Sequence, residues 1–170
     1  MHYSQFAILL LASCAFAHTV NQGDLYNALN TNETIWLKQR SFEEHTTCVA
    51  DKMVFLNYTD YKFTHSYLNG TQPQNQTLFA KLHNSTEGGN PYMTVSIQGT
   101  SGINFTLDYW NDTEKCGVLT FQPGGNKLCE MHVWNSTIGQ PLTECQAGYR
   151  GLCNGTSYQV YSSNCTTTDA

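Results

Sequence analysis

The sequence has few charged residues, and their balance excludes one class of partner. Of its 170 residues, 8 are Lys or Arg and 13 are Asp or Glu, which gives a formal net charge of −5. An acidic chain does not suit the phosphate backbone of nucleic acid, which proteins bind mainly through Lys and Arg. The polar residues are instead mostly Asn, Thr, Gln and Ser, and such a chain needs another source of solubility.

Long apolar runs are also lacking, apart from a short one near the N-terminus. Residues 6–12 are apolar, and residues 15–17 place Ala at the two positions that a signal peptidase recognises. This run is too short for a bilayer, which takes about 20 apolar residues. We therefore predict a secretory signal peptide at residues 1–17 and a single mature domain at residues 18–170. The polar C-terminal tail carries no anchor signal, so we expect no membrane association.

Motifs for catalysis and for metal binding are missing as well. The sequence contains no nucleophile elbow, zinc-protease motif, phosphate-binding loop or dinucleotide fingerprint. His45, His65 and His83 are scattered, and Glu43-Glu44 is typical of a solvated turn. Zinc sites favour closely spaced ligand pairs, and no C-x-x-C is present. We predict a protein that is not an enzyme and that uses no cofactor and no metal.

The cysteines point to disulfides instead. Cys14 lies in the predicted signal peptide, and six cysteines remain in the mature chain: Cys48, Cys116, Cys129, Cys145, Cys153 and Cys165. An even number of cysteines in a secreted chain predicts three disulfides, for which fifteen pairings are possible.

The sequence contains ten Asn-x-Thr sequons, and N-glycans at these sites would provide the solubility that the few charged residues do not. They stand at Asn32, Asn57, Asn69, Asn75, Asn84, Asn104, Asn111, Asn135, Asn154 and Asn164. Chance would produce only about three sequons at this content of Ser and Thr. N-glycans at most of these sites would solubilise the domain and cover much of its outer surface.

The middle of the chain has the composition of short β-strands. Residues that are β-branched or aromatic alternate with turn residues such as Asn69-Gly70. We predict a mainly β protein with strands at 34–41, 47–57, 61–68, 76–82, 92–98, 103–109, 116–121 and 127–134. Eight evenly spaced strands indicate an up-and-down antiparallel barrel or a sandwich. Short helices are predicted at 24–29 and 139–149, one on each side of the strands.

Two sequons also predict which side of a strand faces inward. Side chains alternate between the faces of a strand, and a glycan must lie outside. An outward Asn104 directs inward Ile103, Phe105, Leu107 and Tyr109. An outward Asn135 leaves Met131 and Val133 outside and directs inward Glu130, His132 and Trp134. The predicted interior therefore has one acid beside one imidazole, among mostly apolar groups.

The order of several short motifs carries a family resemblance. A helix precedes strand 34–40, a strand with Cys48 follows, and a Tyr- and Phe-rich hairpin covers 58–67. The later motifs are Cys116-Gly117-Val118-Leu119, Cys129-Glu130-Met131-His132-Val133-Trp134, Pro141…Cys145, Tyr149…Cys153 and Tyr158…Cys165. Together they resemble the tick salivary lipocalins, which include the histamine-binding proteins. The resemblance implies an eight-stranded antiparallel barrel with a short N-terminal and a C-terminal helix. It also implies the disulfides Cys48–Cys165 and Cys116–Cys145, which leaves Cys129–Cys153.

The resemblance also carries an expectation about the ligand. Amine-binding members of the family share C-D-[VIL] and a later E-L-W; here Gly117 stands in place of Asp and His132 in place of Trp, while Glu130 is kept. This departure favours the japanin group, and hence a barrel that binds a sterol or another lipid and modulates the host immune or inflammatory response by acting on dendritic cells. The expected ligand contacts are Trp36, Phe105, Leu107, Tyr109, Glu130, His132 and Trp134.

Two other functions stay open at this point. The first is a scavenger of biogenic amines such as histamine and serotonin. The second is a barrel filled with side chains whose outer surface binds a host protein, for example on an immune cell. That partner would dock where sequons are sparse, at 18–31, 38–56 or 115–126. In each case we expect a monomer secreted into saliva.

Overall fold

Eight stretches rich in β-branched and aromatic residues form the strands of the protein. The computed structural model describes residues 19–85, 88–98, 100–153, 155 and 157–166; the predicted signal peptide and Asn154 lie outside these ranges. The strands are β1 (Thr34–Arg40), β2 (Thr46–Leu56), β3 (Asp60–Asn69), β4 (Gln72–His83), β5 (Tyr92–Ser96), β6 (Ile103–Asn111), β7 (Cys116–Phe121) and β8 (Leu128–Trp134).

These strands close into one antiparallel barrel. Each strand from β2 to β7 pairs with the next one along the chain, and β1 pairs with both β8 and β2. The barrel is therefore the architecture adopted, and the sandwich is not. A two-residue strand, β9 (Tyr158–Gln159), pairs with the end of β1. The sequence analysis missed β9 because two residues carry no periodic pattern.

Most strand bounds agree with the predicted ones, and β4 shows the largest difference. It begins at Gln72, whereas the polar run Gln72–Asn75 was expected to be a loop. The tight turn at Gly70, whose φ is +62°, lets pairing resume at once, and Asn69 lies opposite Gln72. Because both faces of this hairpin end are exposed, apolar alternation gives no signal there.

Helix α1 (Gln22–Leu29) closes one end of the barrel. Asn21 caps it: Asn21 Oδ1 accepts from Gly23 N at 2.7 Å, and Asp24 Oδ2 accepts from Asn21 N at 2.9 Å. This reciprocal capping box fixes the first turn. Leu25 and Leu29, one turn apart, are buried on the barrel side. We call this the closed end, and the end formed by the β5–β6 and β7–β8 connections the open end.

Helix α2 (Thr143–Leu152) packs against the outside of the barrel. Met131 and Val133 point out of the barrel, as the Asn135 sequon predicted, but α2 covers them completely. The disulfides Cys116–Cys145 and Cys129–Cys153 attach α2 to β7 and β8, and Cys48–Cys165 attaches the C-terminal segment to β2. The pairing that the family resemblance implied is confirmed. No helix in the described ranges is both long and apolar enough to cross a bilayer.

A glycine allows α2 to lie close to the barrel wall. A Cβ added to Gly148 would stand 3.0 Å from the ring of Tyr109, whereas a Cβ on Gly151, in the same helix, would meet nothing within 4 Å. A contact of 3.0 Å is tighter than nearly all contacts of Cβ atoms in proteins, so Tyr109 or the helix would have to shift by a few tenths of an ångström. The close packing of α2 against the barrel therefore depends on the absence of a side chain at position 148.

We predict opposite effects for two Gly→Ala substitutions in α2. Gly148→Ala should lower the free energy of unfolding by about 1–3 kcal/mol, because it overpacks the contact with Tyr109. Gly151→Ala is the matched control, and it should raise that free energy by about 0.4–1 kcal/mol by restricting the unfolded chain. Urea denaturation with the disulfides intact measures both. Equal effects at the two positions would contradict the close packing.

Candidate functional site

The barrel encloses a cavity of about 360 Å³ near its open end. Most of the wall is aliphatic or aromatic: Leu37, Val49, Phe63, Leu78, Met93, Val95, Ile97, Ile103, Phe105 and Leu119. The β5–β6 connection forms part of the rim, where Ile97 and Ile103 are half exposed. A cavity of this size and composition is typical of a small-molecule site.

An acid and an imidazole on neighbouring strands form the first polar group in this wall. Asp51 on β2 lies directly opposite His65 on β3 in the strand register. The distance between His65 Nδ1 and Asp51 Oδ1 is 2.7 Å. The two side chains are only 24% and 17% exposed, respectively. Asp51 Oδ2 accepts no hydrogen bond within the described part of the chain, so half of this carboxylate is available to a ligand.

The second polar group has the same chemistry but lies within one strand. Glu130 and His132 stand two residues apart on β8 and therefore share a face. The distance between His132 Nε2 and Glu130 Oε2 is 3.0 Å, and both side chains line the cavity. The predicted inward orientation of these two residues is confirmed. A cavity lined by two acids and two imidazoles has hydrogen-bonding capacity that a purely apolar ligand does not use.

The pKa of His65 reflects the balance between burial and the nearby acids. Burial alone lowers the pKa of its imidazole, but the Asp51 carboxylate, with smaller effects of Glu130 and Glu44, outweighs burial and raises that pKa above the ordinary value of 6.5. A raised pKa means that protonated His65 stabilises the fold at pH values below its ordinary pKa. This contribution is lost as the pH rises through the folded-state value.

A smaller chamber of about 40 Å³ lies deeper in the barrel, toward α1. The two spaces adjoin, because both are lined by Asp51, Phe63, Met93, Leu119 and His132. The residues found only around the inner chamber are Leu25, Ala28, Leu29, Ile35, Tyr61, Leu107, Trp110, Gly117 and Trp134. The indole nitrogen of Trp134 donates to Ala28 O at 3.0 Å, which connects α1 to β8.

Five of the seven predicted ligand contacts line one of these spaces. They are Phe105, Leu107, Glu130, His132 and Trp134. Trp36 does not: Ile35 and Leu37 face inward, so Trp36 between them faces outward. It lies in the cluster under α2, where its Nε1 donates to Asn135 Oδ1 at 2.9 Å.

Tyr109 also lies outside the barrel, contrary to the prediction from the Asn104 sequon. The pairing of β6 with β7 shifts by one residue between Leu107 and Tyr109. A bulge of this kind moves the following side chains to the opposite face. Trp110 therefore faces the inner chamber, and Tyr109 packs against α2.

The sequence analysis missed Asp51 and His65, so its count of one acid in the barrel was wrong. The one sequon asparagine of β3, Asn69, is its last residue and lies at the turn, and the sequence analysis did not use it to orient the strand. A signal was present in the alternation Tyr61, Phe63, His65, which places three aromatic rings on one face of β3. Asp51 was harder to find, because β2 has two irregularities in its pairing with β3, one on each side of this residue.

One further cluster in the described residues has the composition of a metal site. Glu114, Cys116 and Cys145 approach one another closely. Cys116 and Cys145, however, are joined in a disulfide, and a disulfide sulfur is not the thiolate that binds metals. Glu114 Oε2 accepts from Cys145 N at 2.8 Å, close to the start of α2. The cluster therefore fastens the helix to the barrel.

Comparison with known proteins identifies relatives of this barrel. The family model described as tick histamine binding protein matches residues 17–167. No curated protein sequence matches the chain significantly. Among solved structures, the AM182 serotonin complex is similar over 90% of this chain and 97% of its own, with 19% identity and a TM-score of 0.65.

Two further structures share the fold at lower identity. Japanin from Rhipicephalus appendiculatus, bound to cholesterol, is similar over 78% of this chain and 94% of its own, with 11% identity and a TM-score of 0.58. The siderocalin Ex-FABP is similar over 77% of this chain and 93% of its own, with 11% identity and a TM-score of 0.53. At these identities the likeness establishes the barrel fold.

We predict that the pKa of His65 depends on Asp51. In the unaltered protein, the His65 ring should titrate above 6.5. In Asp51→Asn the pKa of His65 should fall, because burial still lowers it while the carboxylate that raises it is gone. Glu43→Gln, which removes an exposed acid of the β1–β2 connection, is the control and should leave the value unchanged. Proton NMR of the imidazole signals measures both. An unchanged pKa in Asp51→Asn would refute the pairing.

Proposed function

The chain belongs to the tick histamine-binding protein family, and from this premise we propose that it is a secreted lipocalin that captures a biogenic amine, such as serotonin or histamine, in its barrel. The observation that carries the proposal is the presence of two acids in the cavity wall, Asp51 and Glu130. Each uses one carboxylate oxygen to contact an imidazole, and the second oxygen has no donor in the described part of the chain.

A protonated amine matches this wall in charge and in hydrogen bonding. A buried carboxylate is costly unless a cation or a donor satisfies it. An ammonium group provides both, because it carries one positive charge and several N–H donors. The rings of Phe63 and Phe105 line the same cavity and offer π faces to a cation or to the aromatic ring of such a ligand.

Asp51 also supplies the acid that the family motif lacks on β7. In amine-binding relatives this motif has Asp at the position of Gly117. Here Gly117 lines the inner chamber, and Asp51 of β2 lines the same chamber from another strand. The chamber therefore still has a carboxylate although the family motif is incomplete. Gly117 in place of Asp does not by itself exclude an amine ligand.

The size of the cavity supports a compact ligand. Its volume of about 360 Å³ lies near the lower end of the range for small-molecule sites, roughly 300–1,000 Å³. A single ring system with a short side chain suits this space better than a fused four-ring sterol does. Removal of such amines from a bite site would modulate the inflammatory response of the host.

The aliphatic wall supports a second candidate, a sterol or another neutral lipid. Leu37, Val49, Leu78 and Val95 would bury apolar ligand surface, worth about 25 cal/mol per Å². In this case each acid would be balanced by its own imidazole, and no ligand cation would be needed. The same role in modulating host immunity, including an action on dendritic cells, would follow from lipid capture.

We predict that delipidated protein binds serotonin or histamine more tightly than cholesterol. Asp51→Asn and Glu130→Gln should each weaken amine binding by about 2–5 kcal/mol, because they remove a partner of the ligand charge. Isothermal calorimetry with the three ligands measures the difference. Glu43→Gln is the control and should leave all affinities unchanged. If the unaltered protein binds no amine, and both cavity variants still bind cholesterol, then the ligand is a sterol and the amine proposal is wrong.

Secretion and glycosylation complete the proposal. We propose that residues 1–17 are removed as a signal peptide and that most of the ten sequons carry glycans. Of the nine acceptor asparagines in the described ranges, eight are exposed and Asn111 is partly buried. The β1–β2 and β7–β8 connections at the open end, 41–45 and 122–127, contain no sequon, which leaves them free of glycans for a host protein to contact.

We predict that enzymatic removal of N-glycans from protein secreted by animal cells lowers its mass by many kilodaltons. Asn75→Gln should reduce the mass of the glycosylated protein by one glycan without changing its stability, because Asn75 is exposed on β4. Mass spectrometry before and after amidase treatment measures both. A loss corresponding to one or two glycans in total would contradict dense coverage.

A further inference from the structure

A tyrosine in the wall of the inner chamber has a buried hydroxyl group without a hydrogen-bond partner in the described part of the chain. Tyr61 lies near the closed end of β3, is 2% exposed, and lines this chamber. Its hydroxyl finds no hydrogen-bond partner among the described residues. Buried hydroxyl groups are almost always hydrogen-bonded, and one left unpaired costs about 1–3 kcal/mol. The chamber is therefore suited to a polar group that the protein itself does not supply.

The second polar group in this wall is a carboxylate of which only one oxygen has a hydrogen-bond partner in the described residues. Asp51 lines it, and only Oδ1 of this residue is occupied, by His65. Burial, and then the negative charge of Asp51, raise the pKa of the Tyr61 hydroxyl, so this phenol stays protonated. Together Asp51 and Tyr61 offer oxygen acceptors to a group that carries several hydrogen-bond donors and a positive charge.

Aromatic rings form much of the remaining wall. Tyr61 and Phe63 are stacked, with ring centroids 4.7 Å apart, and the ring centroids of Trp110 and Trp134 are 6.0 Å apart. Ring faces attract cations and are most effective when water is excluded. The chamber thus combines one carboxylate and one hydroxyl with π surfaces and has no basic side chain other than His132.

The volume of the chamber limits what can enter. It measures about 40 Å³, against about 360 Å³ for the outer cavity, so only a small part of a ligand can enter it. A primary ammonium group is close to a water molecule in size, whereas each added N-methyl group enlarges it and removes one N–H donor. A protonated dimethylated nitrogen keeps a single N–H donor, so it could not satisfy Asp51 and Tyr61 together.

We propose that the inner chamber is a recess for the primary ammonium group of the ligand, held between Asp51 and the Tyr61 hydroxyl, while the ligand ring lies in the outer cavity. This inference rests on the proposed amine-binding function and adds a selection rule to it. The protein prefers primary amines to their N-methylated analogues, and Tyr61 determines that preference.

The test compares serotonin with N,N-dimethylserotonin, which share a ring and differ at the nitrogen. Calorimetry, together with quenching of the Trp110 and Trp134 fluorescence, gives the affinity of each for full-length glycosylated protein. We expect serotonin to bind at least tenfold more tightly. In Tyr61→Phe, serotonin should lose about tenfold in affinity and the dimethyl analogue less than twofold. Tyr149→Phe alters a buried tyrosine of α2, outside the barrel, and should change neither of the two affinities.

The outcomes separate this inference from the proposed function. Tight binding of both amines with equal affinity would leave the proposed function standing and assign the chamber to buried water only, which overturns the inference. Serotonin binding that Tyr61→Phe leaves unchanged, in protein with an unaltered circular dichroism spectrum, would overturn it as well. If neither amine binds, the proposed function fails and the inference fails with it. Because the comparison of the two amines uses unaltered protein, the test stands even if a variant does not fold.

Discussion

The pairing of β1 with both β2 and β8 is the constraint on which the rest of the structure depends. It closes β1–β8 into a barrel and so removes the two long free edges that an open sheet would present to another chain. Closure also separates an inner surface from an outer one and limits the contact of the inner surface with bulk water. In such an interior the four ionisable side chains Asp51, His65, Glu130 and His132 must satisfy one another or a ligand. The chemistry of the cavity is thus a result of how the sheet closes.

The sequence was sufficient for most of the fold because its signals are local. Alternating apolar residues and turn residues located all eight long strands, and β7 was predicted with its observed bounds. The limits of this approach lie at bulges and in irregular pairing. One bulge after Leu107 exchanged the positions of Tyr109 and Trp110, and irregularities in β2 concealed Asp51. Since a shift of one residue reverses every following side chain, a correct strand can still give a wrong site.

The candidate site was predictable only where a sequon or a motif oriented the strand. Glu130, His132 and Trp134 were placed correctly because Asn135 at the end of β8 indicated the outward face. Trp36 was assigned to the site on family resemblance alone, and strand alternation directs it outward. The inner chamber is formed by residues from α1 and most of the strands. No pattern along the chain could show that Tyr61, Gly117 and Trp110 meet at one point.

The disulfides give the two halves of the barrel wall different stiffness. Cross-links reach β2, β7 and β8, while β3, β4 and β5 contain no cysteine and have no covalent brace. Segments with fewer restraints distort at lower free energy. We therefore expect a wide ligand to bend the β3–β5 side of the barrel more than the cross-linked side. Because His65 belongs to β3 and Glu130 belongs to the braced β8, such bending changes the distance between the two acid–imidazole pairs. Ligand width and the spacing of charge in the cavity are mechanically coupled.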